Sequence, residues 1–397
     1  MSRETHGSTA LRERSLAPDL GRGLMLLLIA VAHAPAFAGA TPAPLDHGAQ
    51  FVKALLADNL ARTLFVFLFG YGLGQLAYRQ QGDGVDWPDT RKQLRRRGWW
   101  LIMIGFLHTV ILVPLDIIAY YGVALVLLVP LVRSRDLVLL RTAAITLVPM
   151  GALLAWQTAQ SYQAIVAGGP VGMTGYLEPD LLSHLLANLP TWPVETVLGT
   201  VAVVPGMLVG LWAARRRLLD EPGRHLPLLR RVAVIGLIMA VAGRLPGALI
   251  TGGLWAPTAS PAIWGAAVAH DLTGFAGGLA LAAAIGLLAH AIGSARGRLI
   301  TAVVALGQRS LTFYLFQSLV WLVLFYPFTL GLAGRVGAAA TIMIAVAVWL
   351  LSVGLAELMR RAGHRGPLEL VLRRLVAGRT GVRGSAGDRP TVASRSS

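Results

Sequence analysis

Ten apolar runs, separated by gaps that alternately hold arginines and almost no positive charge, leave this 397-residue chain few choices of fold. The runs are about Gly21–Ala38, Leu60–Tyr78, Gly98–Val113, Ile117–Val132, Thr142–Gln160, Val194–Ala214, Val232–Thr251, Ala269–Ile292, Ser310–Phe328 and Gly337–Met359. A helix of ~20 residues crosses the ~30 Å core of a bilayer, and in lipid the helix satisfies its own backbone polar groups. Only 14% of residues are charged, against about 25% in soluble domains. The expected fold is therefore all-α: a polytopic membrane helix bundle of about ten transmembrane helices.

The gaps give an orientation. The stretch up to Arg22 holds four basic residues, and 39–59 holds only Lys53. Six follow in Arg79–Arg97, none in Pro114–Asp116, three in Arg133–Arg141 and none in 161–193. Arg215–Arg231 holds six, 252–268 none, Arg296–Arg309 three, 329–336 only Arg335, and the C-terminal tail nine. Positive charge stays on the cytoplasmic side, so both termini are expected there. The formal charge of +16 then reads as topology and as attraction to anionic lipid headgroups, not as nucleic-acid binding. A cleaved signal peptide would use Leu24–Ala32 as its apolar core and Ala36-Phe-Ala38 as its exit; keeping this helix preserves the alternation.

The expected organisation is a disordered N-terminus over 1–18, the bundle over 19–360, an interfacial amphipathic helix over 361–379 and a disordered tail over 380–397. With no cysteine, thiolate chemistry and Cys-metal sites are excluded, and no metal is expected. The third and fourth runs share 35 residues, so Pro114-Leu-Asp116 either turns below the outer surface around a cavity or faces water in a thinned bilayer. Gly206-xxx-Gly210 and Gly274-xxx-Gly278 are ordinary cues for close helix contact.

Polar groups at membrane depth are the candidates for function, because each is costly to leave against lipid. His33 lies eleven residues beyond Arg22, roughly 16 Å deeper, and His108 eleven beyond Arg97. Arg244, Tyr314 and Gln317 are also expected near the midplane, Arg244 with an anionic partner such as Glu195, Asp116 or Asp271. An outer set comprises Asp46, His47, Asp58, Arg62, Asp116, Glu195, His270 and Asp271. Its bland readings are an i,i+4 pair for Asp58 and Arg62, and capping at a helix start for His270 and Asp271.

Three stretches resemble a family. They are Arg22-Gly-x9-His33; Arg62-Thr-Leu-Phe-Val-Phe-Leu-Phe-Gly70-Tyr-Gly72 with the Arg95-Arg96-Arg97 cluster and Asp116-Ile-Ile-Ala-Tyr120; and Leu306-Gly-Gln-Arg309-Ser-Leu-Thr-Phe-Tyr314-Leu-Phe-Gln317, closing on Gly366-Pro-Leu-Glu369. Together they resemble the DUF418 (YeiB-like) bacterial inner-membrane proteins, a family without assigned function. The Arg-to-His spacing in the first span is also similar to membrane acyltransferase-3 proteins and to heparan-glucosaminide acetyltransferases. That wider likeness implies acyl transfer from cytoplasmic acyl-CoA to an acceptor on the other side, with Arg22 and His33 as the residues carried over. DUF418 proteins often have Asn where this chain has His33.

Two functions follow as expectations. In the first, His33 is the base or acyl carrier of a transmembrane acyltransferase. Arg22 and Arg95, Arg96 and Arg97 hold acyl-CoA phosphates; His108, Asp116, Arg244, Tyr314 and Gln317 line the substrate site. The acceptor is a sugar, lipid or peptide. In the second, His33, His108, Arg244 and Asp116 form the path of a proton-coupled transporter or exporter of a small or anionic substrate.

Overall fold

The computed structural model describes residues 15–39, 44–169 and 177–377, all helices and connecting turns. The helices are α1 (Leu16–His33), α2 (Pro44–Leu56), α3 (Leu60–Gly82), α4 (Trp87–Ile111), α5 (Ile118–Leu128), α6 (Asp136–Val166) and α7 (Leu181–Arg215). They continue as α8 (Leu226–Thr251), α9 (Ser260–Ile292), α10 (Arg298–Gly307), α11 (Ser310–Phe325), α12 (Ala338–Arg361) and α13 (Pro367–Ala377).

Among the described residues, six helices are long and apolar enough to cross a bilayer: α1 with its 3-10 extension to Phe37, α6, α7, α8 with the turn before it, α9 and α12. The pair α10–α11, bent by 84° at Gln308-Arg309, makes a seventh if taken as one span. Helices α3 and α4 have the length but are not among these six, and α5 is short. Over half of the apolar windows of α1 and α7 is buried (56% each) against 22% for α6, so α1 and α7 are interior and α6 peripheral. Helix α3 packs on α1, α7 and α9, and α10 runs against α1 and α12.

Several boundaries differ from the sequence expectation. α1 starts at Leu16, inside the stretch expected to be disordered, with Leu16, Ala17 and Pro18 buried. Pro18 sits in the first turn, where its missing N–H breaks no helical bond. The 161–193 loop is shorter than expected, because α6 runs on to Val166 and α7 starts at Leu181. Asp180 caps α7: its carboxylate accepts from Ser183 N (2.9 Å) and Ser183 Oγ (2.8 Å). α7 then passes through Pro190 and Pro193 without ending. Residues 1–14 and the tail over 380–397, for which disorder was expected, lie outside the described residues.

Two seams of backbone contact hold the interior. A Cβ at Gly23 would lie 2.3 Å from Val303 O, and one at Gly307 1.8 Å from Asp19 O, so α1 and α10 touch backbone to backbone. Trp349 Nε1 donates to Gly23 O (2.9 Å) from α12. On the other side of α3, a Cβ at Gly70 or Gly210 would lie 2.1 Å from the carbonyl oxygen of Met207 or Phe67. Gly206, Gly274 and Gly278 also face α3, meeting Val66, Asn59 and Thr63.

The bent pair is held by the end of the chain. Glu369 of α13 accepts from Leu311 N (2.8 Å), Thr312 N (3.3 Å) and Thr312 Oγ1 (2.5 Å), capping α11. Arg309, at the bend, donates to Ala305 O (2.9 Å) and to His364 O.

The α1–α10 seam has no room for a methyl group facing backbone. Gly307→Ala is expected to destabilise by about 1–3 kcal/mol or more, read as thermal unfolding of the detergent-solubilised protein. Gly354→Ala, inside α12 where nothing lies within 4 Å, should not destabilise and is expected to raise the unfolding midpoint slightly.

Candidate functional site

Charged residues at the arginine-rich end of α1 form a clasp. Arg22 Nη1 pairs with Asp19 Oδ1 (3.0 Å), and Gln308 Nε2 donates to Asp19 Oδ2 (3.2 Å) from the α10–α11 bend. The Arg22 guanidinium lies over Gly72, where a Cβ would approach Nη2 to 2.6 Å. Arg97 lies near enough for the two guanidiniums to repel. Arg95 is exposed, and Arg96 and Arg97 are half-buried. At the same end an open cleft lies between α3, α4 and α7, lined by Tyr78, Gln81, Trp87, Arg133 and Arg215 among others. The Arg133 guanidinium stands 5.2 Å from the Trp87 ring centre.

His33 is the last residue of α1. Counted from Leu16, it lies roughly 25 Å along the helix, nearer the far end than a count from Arg22 indicates. His108 likewise falls in the last turn of α4. His33 is half-buried and makes no hydrogen bond among the described residues. The charges acting on it are Arg62, His108, Lys53 and Asp58.

Near enough to His33 for His108 to act on its charge lies a buried polar layer. His108 Nε2 is 2.7 Å from Ser318 Oγ, and His108 Nδ1 is 3.1 Å from Asp116 Oδ1. Asp116 accepts from Ile118 N (3.0 Å) and Ala119 N (2.7 Å), capping α5. The turn therefore is buried, with Asp116 6% exposed, in line with the reading of a carboxylate below the surface. Tyr314 OH donates to Leu115 O (2.8 Å), and its ring lies 5.2 Å from that of His108. Gln317 Nε2, Tyr121 OH and Thr109 Oγ1 are buried without a partner.

Arg244 is not part of this layer. Its guanidinium donates to Leu55 O (2.7 Å) and Ala54 O, the last carbonyls of α2, where positive charge also complements the helix dipole. The expected carboxylate contact is replaced by backbone, with Asp58 and Asp271 only nearby. Its neighbours are the buried His270 and Tyr162, whose Nδ1 and OH have no partner. His270 and Asp271 do not start a helix: α9 begins at Ser260, and Asn59 Nδ2 donates to Asp271 O and Asp271 Oδ1 (3.0 Å each).

Asp58 and Arg62 do not pair either. Asn59 sits between them at φ 53°, and α3 begins only at Leu60, so the i,i+4 geometry is lost. Asp58 pairs instead with Lys53 (3.3 Å). Arg62, half-buried, has no hydrogen bond or ion pair among the described residues and acts on both His33 and His270. Asp46 accepts from Ala339 N (2.8 Å) at the start of α12. Of the residues expected to share one site, the structure joins His108, Asp116 and Tyr314 in one layer. It leaves Arg22 and Arg95–Arg97 at the opposite end of α1 and Arg244 in a second cluster. Ser318, missed in the sequence, belongs to the first layer; its signal was its place beside Gln317 in an apolar helix.

Residues 213–379 match the family model described as "Protein of unknown function (DUF418)". The chain is 24% identical over 354 residues to the "Uncharacterized protein YxaH" of Bacillus subtilis (strain 168), covering 83% of this chain and 82% of that protein.

The geometry separates structural from unengaged groups. Arg244→Met would leave Ala54 O and Leu55 O without donors and should cost about 1–3 kcal/mol. His33→Ala breaks no hydrogen bond among the described residues and should barely shift unfolding. Thermal denaturation of both variants in one detergent checks the contrast.

Proposed function

We propose that this chain, whose residues 213–379 match the DUF418 family model, is a transmembrane acyltransferase that moves an acyl group from cytoplasmic acyl-CoA to an acceptor hydroxyl or amine. The observation that supports this reading is His33. It is a half-buried imidazole with no hydrogen-bond partner among the described residues, on the same helix as the Arg22 clasp. A general base needs an open nitrogen, whereas a structural histidine in a bundle is normally tied at both.

In this reading, the phosphates of the donor meet Arg22, Arg96 and Arg97, and its adenine lies in the cleft between Trp87 and Tyr78. The pantetheine arm then follows α1 toward His33, a distance of roughly 16 Å. His33 removes the acceptor's proton, and the acceptor is a sugar, lipid or peptide arriving from the other side. Arg62 gives the site a cation that can hold an anionic acceptor. The bundle has about ten spans, with α3, α4 and α5 completed by their neighbours, and both termini are cytoplasmic in a bacterial inner membrane. Helix α13 lies along the inner leaflet, whose anionic headgroups attract the arginines of that side.

A proton-coupled transporter is the second reading. It draws on the cluster of Arg244, His270, Tyr162 and Asp271, where buried His270 Nδ1 and Tyr162 OH lack partners. Flux into proteoliposomes without any acyl donor would favour it.

Membranes carrying His33→Ala should lose acyl-CoA-dependent transfer by about 10²–10⁴-fold; undiminished transfer removes His33 from the mechanism. For the topology, alkaline phosphatase fused after Ser397 should be inactive and the same enzyme inserted in 252–268 active.

A further inference from the structure

The arrangement of Ser318, His108 and Asp116 has the connectivity of an activated nucleophile. Ser318 Oγ is 2.7 Å from His108 Nε2, and His108 Nδ1 is 3.1 Å from Asp116 Oδ1. The second contact lies off the hydrogen-bond line, leaving Nδ1 without an aligned partner; contacts of this kind commonly align only with substrate bound. Asp116 is fixed by the backbone N–H groups of Ile118 and Ala119. Its approach to α4 depends on Gly105, where a Cβ would lie 2.5 Å from Asp116 Oδ2 and 2.3 Å from Ala119 N. The end of α4 with the turn after it and the distant α11 thus deliver an imidazole, a carboxylate and a hydroxyl in the order that raises the nucleophilicity of a serine.

The same layer holds donors that the fold does not use. Gln317 Nε2, Tyr121 OH and Thr109 Oγ1 are buried with no partner among the described residues. Leaving such a group unpaired in the interior is costly. A pure helix staple would need only the Ser318–His108 bond. Unused donors beside it suit the negative charge that develops on a carbonyl oxygen during acyl transfer.

We propose that Ser318 carries the acyl group covalently between donor and acceptor, with His108 as its base and Asp116 as the residue that orients His108. This deepens the acyltransferase reading and rests on it for the identity of the donor. Ser318 Oγ attacks the thioester carbonyl carbon and its proton passes to His108 Nε2. The carbon–sulfur bond breaks, and CoA leaves as the thiol with that proton. An acceptor hydroxyl or amine, deprotonated by His33, then attacks the Ser318 ester. The carbon–Oγ bond breaks, and the proton removed from the acceptor restores the Ser318 hydroxyl. His33 thereby acts only in the second half.

The test uses the full-length protein in detergent, radiolabelled acyl-CoA from acetyl to palmitoyl, and no acceptor. A hydroxylamine-labile label mapping to Ser318 is expected in the wild type and in His33→Ala, where it should persist when acceptor is added. Ser318→Ala should lose the label and reduce transfer by roughly 10³-fold or more. Ser318→Cys, nearly isosteric, keeps a nucleophile and should give a labile thioester, which separates loss of the nucleophile from loss of the fold. A fluorophosphonate probe, which needs no acyl donor, should label Ser318 and label His108→Gln much less. Transfer that persists in Ser318→Ala but fails in His33→Ala overturns the covalent step and leaves the acyltransferase standing. Fluorophosphonate labelling at Ser318 without any acyl-CoA-dependent transfer keeps the nucleophile and discards the acyltransferase. A folded wild type that no probe labels at Ser318 overturns the proposal.

Discussion

Helix ends inside the bundle are the constraint on which the rest of this structure depends. A helix leaves about four N–H and four C=O groups unpaired at its ends, and in a low-dielectric interior water does not complete them. Here charged side chains from distant parts of the chain do so. Asp116 completes the start of α5, Glu369 the start of α11 and Asp46 the start of α12. Arg244 completes the end of α2, and Arg215 covers the carbonyls of Val132 and Ser134 after α5. Tyr71 accepts from Leu219 N and Asp220 N and donates to the Asp220 carboxylate, tying the turn after α7 to α3. Acids sit on exposed N–H groups and arginines on carbonyls, the pairing that helix dipoles favour.

That role accounts for much of the ionisable content at depth, and it sharpens what remains. Arg244 is structural by its contacts, however costly its burial. Asp116 does two things at once, holding α5 and facing His108. His33 and Arg62 complete no helix end and have no hydrogen bond among the described residues. Ser318 satisfies itself on Tyr314 O (3.2 Å) yet also meets His108. Chemistry is best sought in the groups that the fold does not need.

The helical class was legible from the apolar runs, and the placing of Arg22 and His33 on one helix from their spacing alone. What was not legible is mostly long-range. Counting depth from the nearest arginine assumes that the arginine marks the helix start, but α1 begins six residues before Arg22 because Asp19 neutralises it within the helix. Asp58 and Arg62 looked like an i,i+4 pair until Asn59, in a left-handed conformation, separated them into a turn and a helix. His270 and Asp271 looked like a helix start, yet α9 had already begun at Ser260. The Asp180-Leu-Leu-Ser183 cap was visible in the sequence, and would have extended α7 toward its true start. No local pattern reveals that Glu369 belongs to Leu311, because the partners are 58 residues apart and on different helices.

That last contact bears on biogenesis. The bend at Gln308-Arg309 is drawn tight by groups contributed by His364 and Glu369. While the ribosome is still adding the final segment, α10 and α11 must wait with their polar ends uncovered. The interior seam between α1 and α10 therefore involves one of the first helices made and is secured by one of the last. Insertion cannot run as a simple relay of finished hairpins. The final shape is reached only after synthesis has delivered His364 and α13, which close the bend last.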